Sequence, residues 1–288
     1  MSNYDFAPDE QLLMGRIDFG APRRTLTGAA DDAVGEYLAA LMYNGQIGSD
    51  YLIQARPKYM AYVQATDKNA LGLQYLSPWA KTCSKKVQAT FGHEPRFVLL
   101  EQPFGRRHSN WRAAKSLFLH TDMFKSGSPV GSPDLRNVVP VYQLPLSHQD
   151  RDYLVRWARQ YRDHDSIWVG SGKLEVAAYR EMADPTSQLS CQGREHCQII
   201  EKATGIPTYY YLFRYYGRLK EKWRLCPLCG ERWRVASPRG TTKFSQFEFR
   251  CKPCRLVSNV ACSIGNDKDE RLAIIGEPRR TVRRQNSR

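Results

Sequence analysis

Apolar positions recur along this chain with two periods, one of strands and one of helices. Leu12 to Phe19 reads as a strand that Gly20 and Pro22 bring to an end. From Asp31 onward, Val34, Tyr37, Leu38, Leu41 and Met42 fall at helical spacing behind acidic residues that suit a helix N-terminus, predicting an amphipathic helix that stops near Gly45. Tyr59 to Gln64 predicts a strand, Asn69 to Phe91 a mainly helical stretch, and Arg96 to Leu100 a short buried strand. These elements form an α+β layer of about 100 residues.

Further along, Ser116 to Thr121 is strand-like, and Ser126 to Pro133 holds two glycines and two prolines in eight residues, which predicts a loop. Ser147 followed by Asp150 reads as a capping box opening a helix with Leu154, Trp157 and Tyr161 on one face. A second helix is expected from Ser190 to Thr204, with Ile199 and Ile200 on its apolar face and Gly205 and Pro207 at its end. Pro207 to Tyr216 is an aromatic strand; alternation separates Tyr209, Tyr211, Phe213 and Tyr215 from Tyr210, Leu212, Arg214 and Tyr216. The expected fold is α+β: an N-terminal mixed α/β layer over 1–145, central helices over 146–206, an aromatic strand with a four-cysteine zinc ribbon over 207–264, and a basic, disordered tail over 265–288.

The tail belongs to a charge asymmetry. The formal charge is +14, and residues 201–288 carry 20 Lys/Arg against 8 Asp/Glu, whereas residues 1–100 balance at 10 each. Clustered cations of this kind suit a polyanion, and nucleic acid is the leading candidate. The opening residues have neither a basic nor an apolar region of a secretory signal, and no apolar run approaches a membrane span, so a cytoplasmic protein without a membrane partner is expected.

The cysteines sharpen this picture. Cys226-Pro-Leu-Cys229 and Cys251-Lys-Pro-Cys254 are two Cys-x-x-Cys pairs, and the stretch between them holds two strand-like segments, Arg232 to Val235 and Phe244 to Arg250, joined by the turn-like Ser237 to Gly240. Two residues between paired cysteines let the chain turn in a tight knuckle with both thiolates on one side, and two knuckles complete a tetrahedron around one structural zinc ion. Four thiolates leave no open coordination position, so the ion holds a fold together and catalyses nothing. Cys191 and Cys197 flank His196, but five intervening residues on an expected helix are poor metal spacing.

Leu189-Ser190 with Gly193-Arg194, Ile200-Glu201, Thr204 to Leu212, Cys226-Pro227 with Cys229-Gly230, and Phe249 to Asn259 together make a recognisable pattern. The segment resembles an uncharacterised bacterial family described as containing a zinc ribbon and suggested to bind nucleic acid. The resemblance is specific over 187–262 and weaker over 110–186; it implies a ribbon and favours the nucleic-acid reading.

The candidate contacts for a polyanion are Arg214, Arg218, Lys220, Lys222, Arg224, Arg232, Arg234, Arg250, Lys252 and Arg255, with Tyr210, Tyr216 and Trp233 as base-stacking aromatics. An acidic protein partner, as for an adaptor or a toxin-neutralising protein, would use the same basic aromatic surface. No catalytic motif is found: Gly170-Ser-Gly-Lys173 lacks the remaining glycine of a phosphate loop, and the six histidines are scattered.

Overall fold

Alternation in β1 (Leu13–Gly20) turns Leu13, Gly15, Ile17 and Phe19 inward, and the same period in β3 (Lys58–Ala65) turns Tyr59, Ala61, Val63 and Ala65 to the same side. The computed structural model describes residues 12–23, 27–55, 57–100, 110–135, 138–217, 220–261 and 269–277. Between and after these strands lie α1 (Thr27–Tyr43), β2 (Ile47–Ala55), α2 (Pro78–Phe91) and β4 (Arg96–Leu99). The sheet order is β2-β3-β1-β4 with every neighbouring pair antiparallel. That is the βαββαβ arrangement of ferredoxin-like folds. Val34, Leu38 and Leu41 of α1 and Cys83, Val87 and Phe91 of α2 pack with Ile17, Phe19 and Ala61 in one core.

Local chemistry fixes the ends of α2. The Ser77 side chain accepts from the Ala80 amide, Pro78 occupies the first turn, and Gly92 takes the left-handed conformation after the last one. The helical stretch expected from Asn69 therefore begins at Pro78. Strand β2 escapes the sequence pattern because Gly48, Ser49 and Asp50 interrupt its alternation where the register shifts. Strand β4, expected to be buried, lies at the sheet edge with Val98 40% exposed.

The second sheet contains β5 (Leu117–Leu119), β6 (Val130–Gly131), β7 (Thr208–Tyr211), β8 (Phe249–Cys251) and β9 (Leu256–Ser258) in the order β6-β5-β7-β9-β8. Its central pairs, β5 with β7 and β7 with β9, are parallel. Helices α3 (His148–Gly170), α4 (Glu175–Ala183) and α5 (Gln188–Thr204) precede β7. The Ser147 hydroxyl caps α3 by accepting from the Asp150 amide, and Leu154, Trp157 and Tyr161 are buried as their spacing requires. One core joins them to Leu117, Cys197, Ile200, Tyr210 and Leu212, and includes Cys226 and Cys251.

This sheet redraws the expected boundaries. Residues 117–131 share hydrogen bonds with residues 208–258, so divisions at 145 and 206 do not separate structural units. The segment read as a loop over Ser126 to Pro133 contains β6. The aromatic strand shortens to four residues that are buried on both faces: Tyr210, with Leu212 just past the strand, joins the helix-side core, while Tyr209 and Tyr211 pack with Phe118 and Phe247.

Two buried polar groupings complete the architecture. Near the end of β5, the His120 ring lies 4.7 Å from both Phe244 and Tyr211, and Asp165 of α3 accepts from the Met123 amide at 2.8 Å. The short helix α6 (Glu270–Ala273) leads into a turn that closes over buried cations. Arg214 donates to the carbonyls of Ile275 and Gly276, and Glu277 lies 2.9 Å from Arg224, which also meets Glu221 at 2.8 Å. The disordered tail expected over 265–288 thus includes an ordered stretch, 269–277; residues 265–268 and 278–288 lie outside the described residues.

Burial, assisted by Asp122, pushes the Asp165 carboxyl from 3.8 to about 6. The native state then binds this proton more tightly than the unfolded chain does, so the contribution of Asp165 falls as pH rises from about 4 to about 6. Asp165→Asn should raise stability by about 1 kcal/mol at neutral pH and leave it little changed near pH 4, as read by urea unfolding at both pH values. Glu277→Ala should cost about 3 kcal/mol in the same assay, because it strips a carboxylate from buried guanidinium groups.

Candidate metal centre

Each Cys-x-x-Cys pair folds as a knuckle closed by backbone hydrogen bonds. In the first, the Gly230 amide donates to the Cys226 carbonyl at 2.8 Å and the Cys226 amide donates to the Glu231 carbonyl at 2.8 Å. The second is the turn between β8 and β9, where Cys251 pairs with Leu256. The residue after each knuckle is left-handed, Gly230 at φ 73° and Arg255 at φ 52°. Glycine adopts that conformation at no steric cost; an arginine does not. Arg255 is held there by Glu201, with which it forms an ion pair, and by the Tyr209 ring 5.6 Å away.

The two knuckles bring the four sulfurs of Cys226, Cys229, Cys251 and Cys254 within 4.8 Å of one another. Cys229 Sγ lies 3.6 Å from Cys251 Sγ, far beyond a disulfide bond of about 2.05 Å. A tetrahedral ion with metal–sulfur bonds near 2.3 Å sets its sulfurs about 3.8 Å apart. The four cysteines therefore fit a metal ion. Burial pushes the Cys226 thiol up to about 11 and also raises Cys254. The Glu231 amide, donating to Cys229, pulls that exposed thiol down. An incoming ion must displace protons from the raised thiols, so metal uptake releases protons and weakens as pH falls.

The ribbon around this centre is leaner than its sequence suggests. Arg232 to Val235 and Phe244 to Arg250, read as two strands, meet through the isolated bridge between Arg234 and Phe249. Ladder structure is confined to Phe249–Cys251 and its partner β9. Alternation nevertheless holds: Arg232 and Arg234 are exposed while Trp233 between them is buried against Phe249.

Four of the candidate surface residues are interior. Trp233 donates its indole N–H to the Arg224 carbonyl at 3.0 Å. Tyr210 is fully buried beside Trp157, with Ser190 Oγ 3.2 Å from its hydroxyl. Arg214 and Arg224, 1% and 2% exposed, are consumed by the carbonyls and carboxylates of the C-terminal turn. None of these four presents a face to a ligand, because their polar and aromatic groups are taken up by partners inside the fold. Tyr216 is half-buried against Tyr179 and Tyr215, and Arg250 and Arg255 flank Tyr209. Lys220, Lys222, Arg232, Arg234 and Lys252 remain exposed, while Arg218 lies outside the described residues. Trp223, absent from the sequence-derived candidates, is 79% exposed between Lys222 and Arg224. Its signal was available: a tryptophan flanked by cations in a segment with few apolar neighbours.

The family model of a domain of unknown function, DUF2310, matches residues 111–213, and a second, DUF8594, matches residues 217–264. Among curated proteins, two from Haemophilus influenzae, both named only as uncharacterized, are 37% and 39% identical over 147 and 146 residues. Each match takes in 50% of this chain, covering 70% of the first relative and 54% of the second. The chain belongs to the DUF2310 family. No solved structure matches it. The boundary between the two family models falls between β7 and the first knuckle, yet in this DUF2310 member β7 and β9 are neighbours in one sheet. No helix among the described residues is long and apolar enough to cross a membrane.

Cys226→Ala and Cys254→Ala should each reduce bound metal from one ion per chain to nearly none, measured by elemental analysis of purified protein. Retention of one ion per chain in either variant would overturn the ligand assignment.

Proposed function

We propose that this protein carries a structural zinc ribbon and binds nucleic acid non-specifically through the exposed cations of that ribbon. The observation that carries the reading is exposure: the Trp223 indole is 79% exposed, and Lys220, Lys222, Arg232, Arg234 and Lys252 of the same C-terminal segment are exposed as well. Guanidinium and ammonium groups neutralise phosphates, and an exposed indole offers a sequence-tolerant stacking platform for unpaired bases.

Four thiolates in a closed tetrahedron suit zinc, which has no redox role to play and needs no further ligand. Such an ion contributes on the order of 10–16 kcal/mol to a small module, so its work is to hold the ribbon in shape while the surrounding cations meet the ligand. Even with the centre's own charge of about −2, the ribbon remains cationic: residues 217–264 carry 11 Lys/Arg and 3 Asp/Glu.

If about five phosphates are neutralised, the log affinity for a single-stranded oligonucleotide should fall with log salt at a slope near −3.5, measured by fluorescence anisotropy. Trp223→Ala should weaken binding by about 1–3 kcal/mol without changing metal content. No binding at low salt would end this reading, and an acidic protein copurifying with a ribbon free of nucleic acid would redirect it to a protein partner.

A further inference from the structure

A cavity of about 240 Å³ lies between the two sheets, bounded by Gly48 and Asp50 at the start of β2, the backbone of residues 126–129, and Val155, Arg159 and Arg162 of α3. Its walls are tied to one another. The hydroxyls of Ser49 and Ser126 both reach Gln64 Oε1 at 2.7 Å. A Cβ at Gly48 would sit 2.6 Å from the Ser126 carbonyl oxygen, so this close approach of two backbones requires glycine.

The lining is mostly apolar with a few charged groups, the usual composition of a small-molecule site, and its volume lies just under the common range of about 300–1,000 Å³. Arg159 and Arg162 stand three residues apart on one helix face. Arg159 is exposed and steadied by donating to the Tyr43 hydroxyl at 3.2 Å, while Arg162 is half-buried. Asp50 shares the cavity, its carboxyl raised above the ordinary value by burial, and the two guanidinium groups outnumber this one carboxylate.

We propose that this cavity binds a small organic oxyanion, a phosphate or carboxylate borne on a compact apolar body, with the charged group against Arg159 and Arg162 and the body against Val155 and its apolar neighbours. Among the described residues none of the ribbon lines it, so the proposal stands apart from the nucleic-acid reading. Phenyl phosphate and benzoate are suitable probes, with phenol as the neutral body alone. Titrated into the metal-loaded full chain and followed by amide resonances, phenyl phosphate or benzoate should move the signals of Gly48 and Gly127, while phenol should not. Arg159→Gln, a surface change that leaves the fold intact, should weaken that binding by about tenfold, and Arg162→Gln by at least as much. Which of the two probes binds distinguishes a phosphate ligand from a carboxylate one. Neither anion moving those signals, phenol moving them equally, or affinities unchanged in both variants would overturn the proposal.

Discussion

The C-terminal half of this molecule depends on four sulfur atoms that must converge. Cys226 and Cys229 sit on a segment that the isolated bridge between Leu225 and Arg232 closes on itself, and that meets β8 through the isolated bridge between Arg234 and Phe249. Cys251 and Cys254 sit on a hairpin built into a five-stranded sheet. Few backbone hydrogen bonds bind the first knuckle to the second, and each contributes about 1 kcal/mol net. A metal ion held by all four thiolates of the cluster would contribute an order of magnitude more. Such an ion would tie the first knuckle to the sheet alongside the packing of Trp233 on Phe249. Because Cys226 and Cys251 also belong to the core that contains Trp157 and Tyr210, the same cluster consolidates packing well beyond the ribbon.

Positive charge is divided by burial into two roles. Arg214 and Arg224 lie inside, matched by Glu221, Glu277 and the carbonyls of the last described turn. Such pairs have little net worth when intact but are costly to break, so they make the turn at 275–277 a condition of the interior around it. Lys220, Lys222, Arg232, Arg234 and Lys252 stay in water. There they raise the local potential, the property an anionic partner would detect.

The N-terminal half obeys different rules. Its ferredoxin-like sheet is antiparallel throughout, covered on one face by α1 and α2. The cavity lies where its edge strand β2 meets the loop and helix of the neighbouring sheet. A junction between two distinct cores is a natural place for imperfect filling.

What the sequence determined by itself was local. Cysteine spacing announced two knuckles, Ser147 with Asp150 announced the start of α3, the period of Val34, Leu38 and Leu41 announced α1, and alternation in 207–216 sorted Tyr209 and Tyr211 from Tyr210 and Leu212. Each signal is written within a few residues, where backbone geometry alone imposes the period. Tertiary structure decided what no short window contains. It joined 117–131 to the ribbon in one sheet, drew β2 out of an interrupted pattern, and hid Arg214, Arg224, Tyr210 and Trp233 while leaving Trp223 in water. Whether a cation or an aromatic ring faces solvent depends on partners such as Glu277 and Trp157, which lie dozens of residues away and meet it only once the chain has folded.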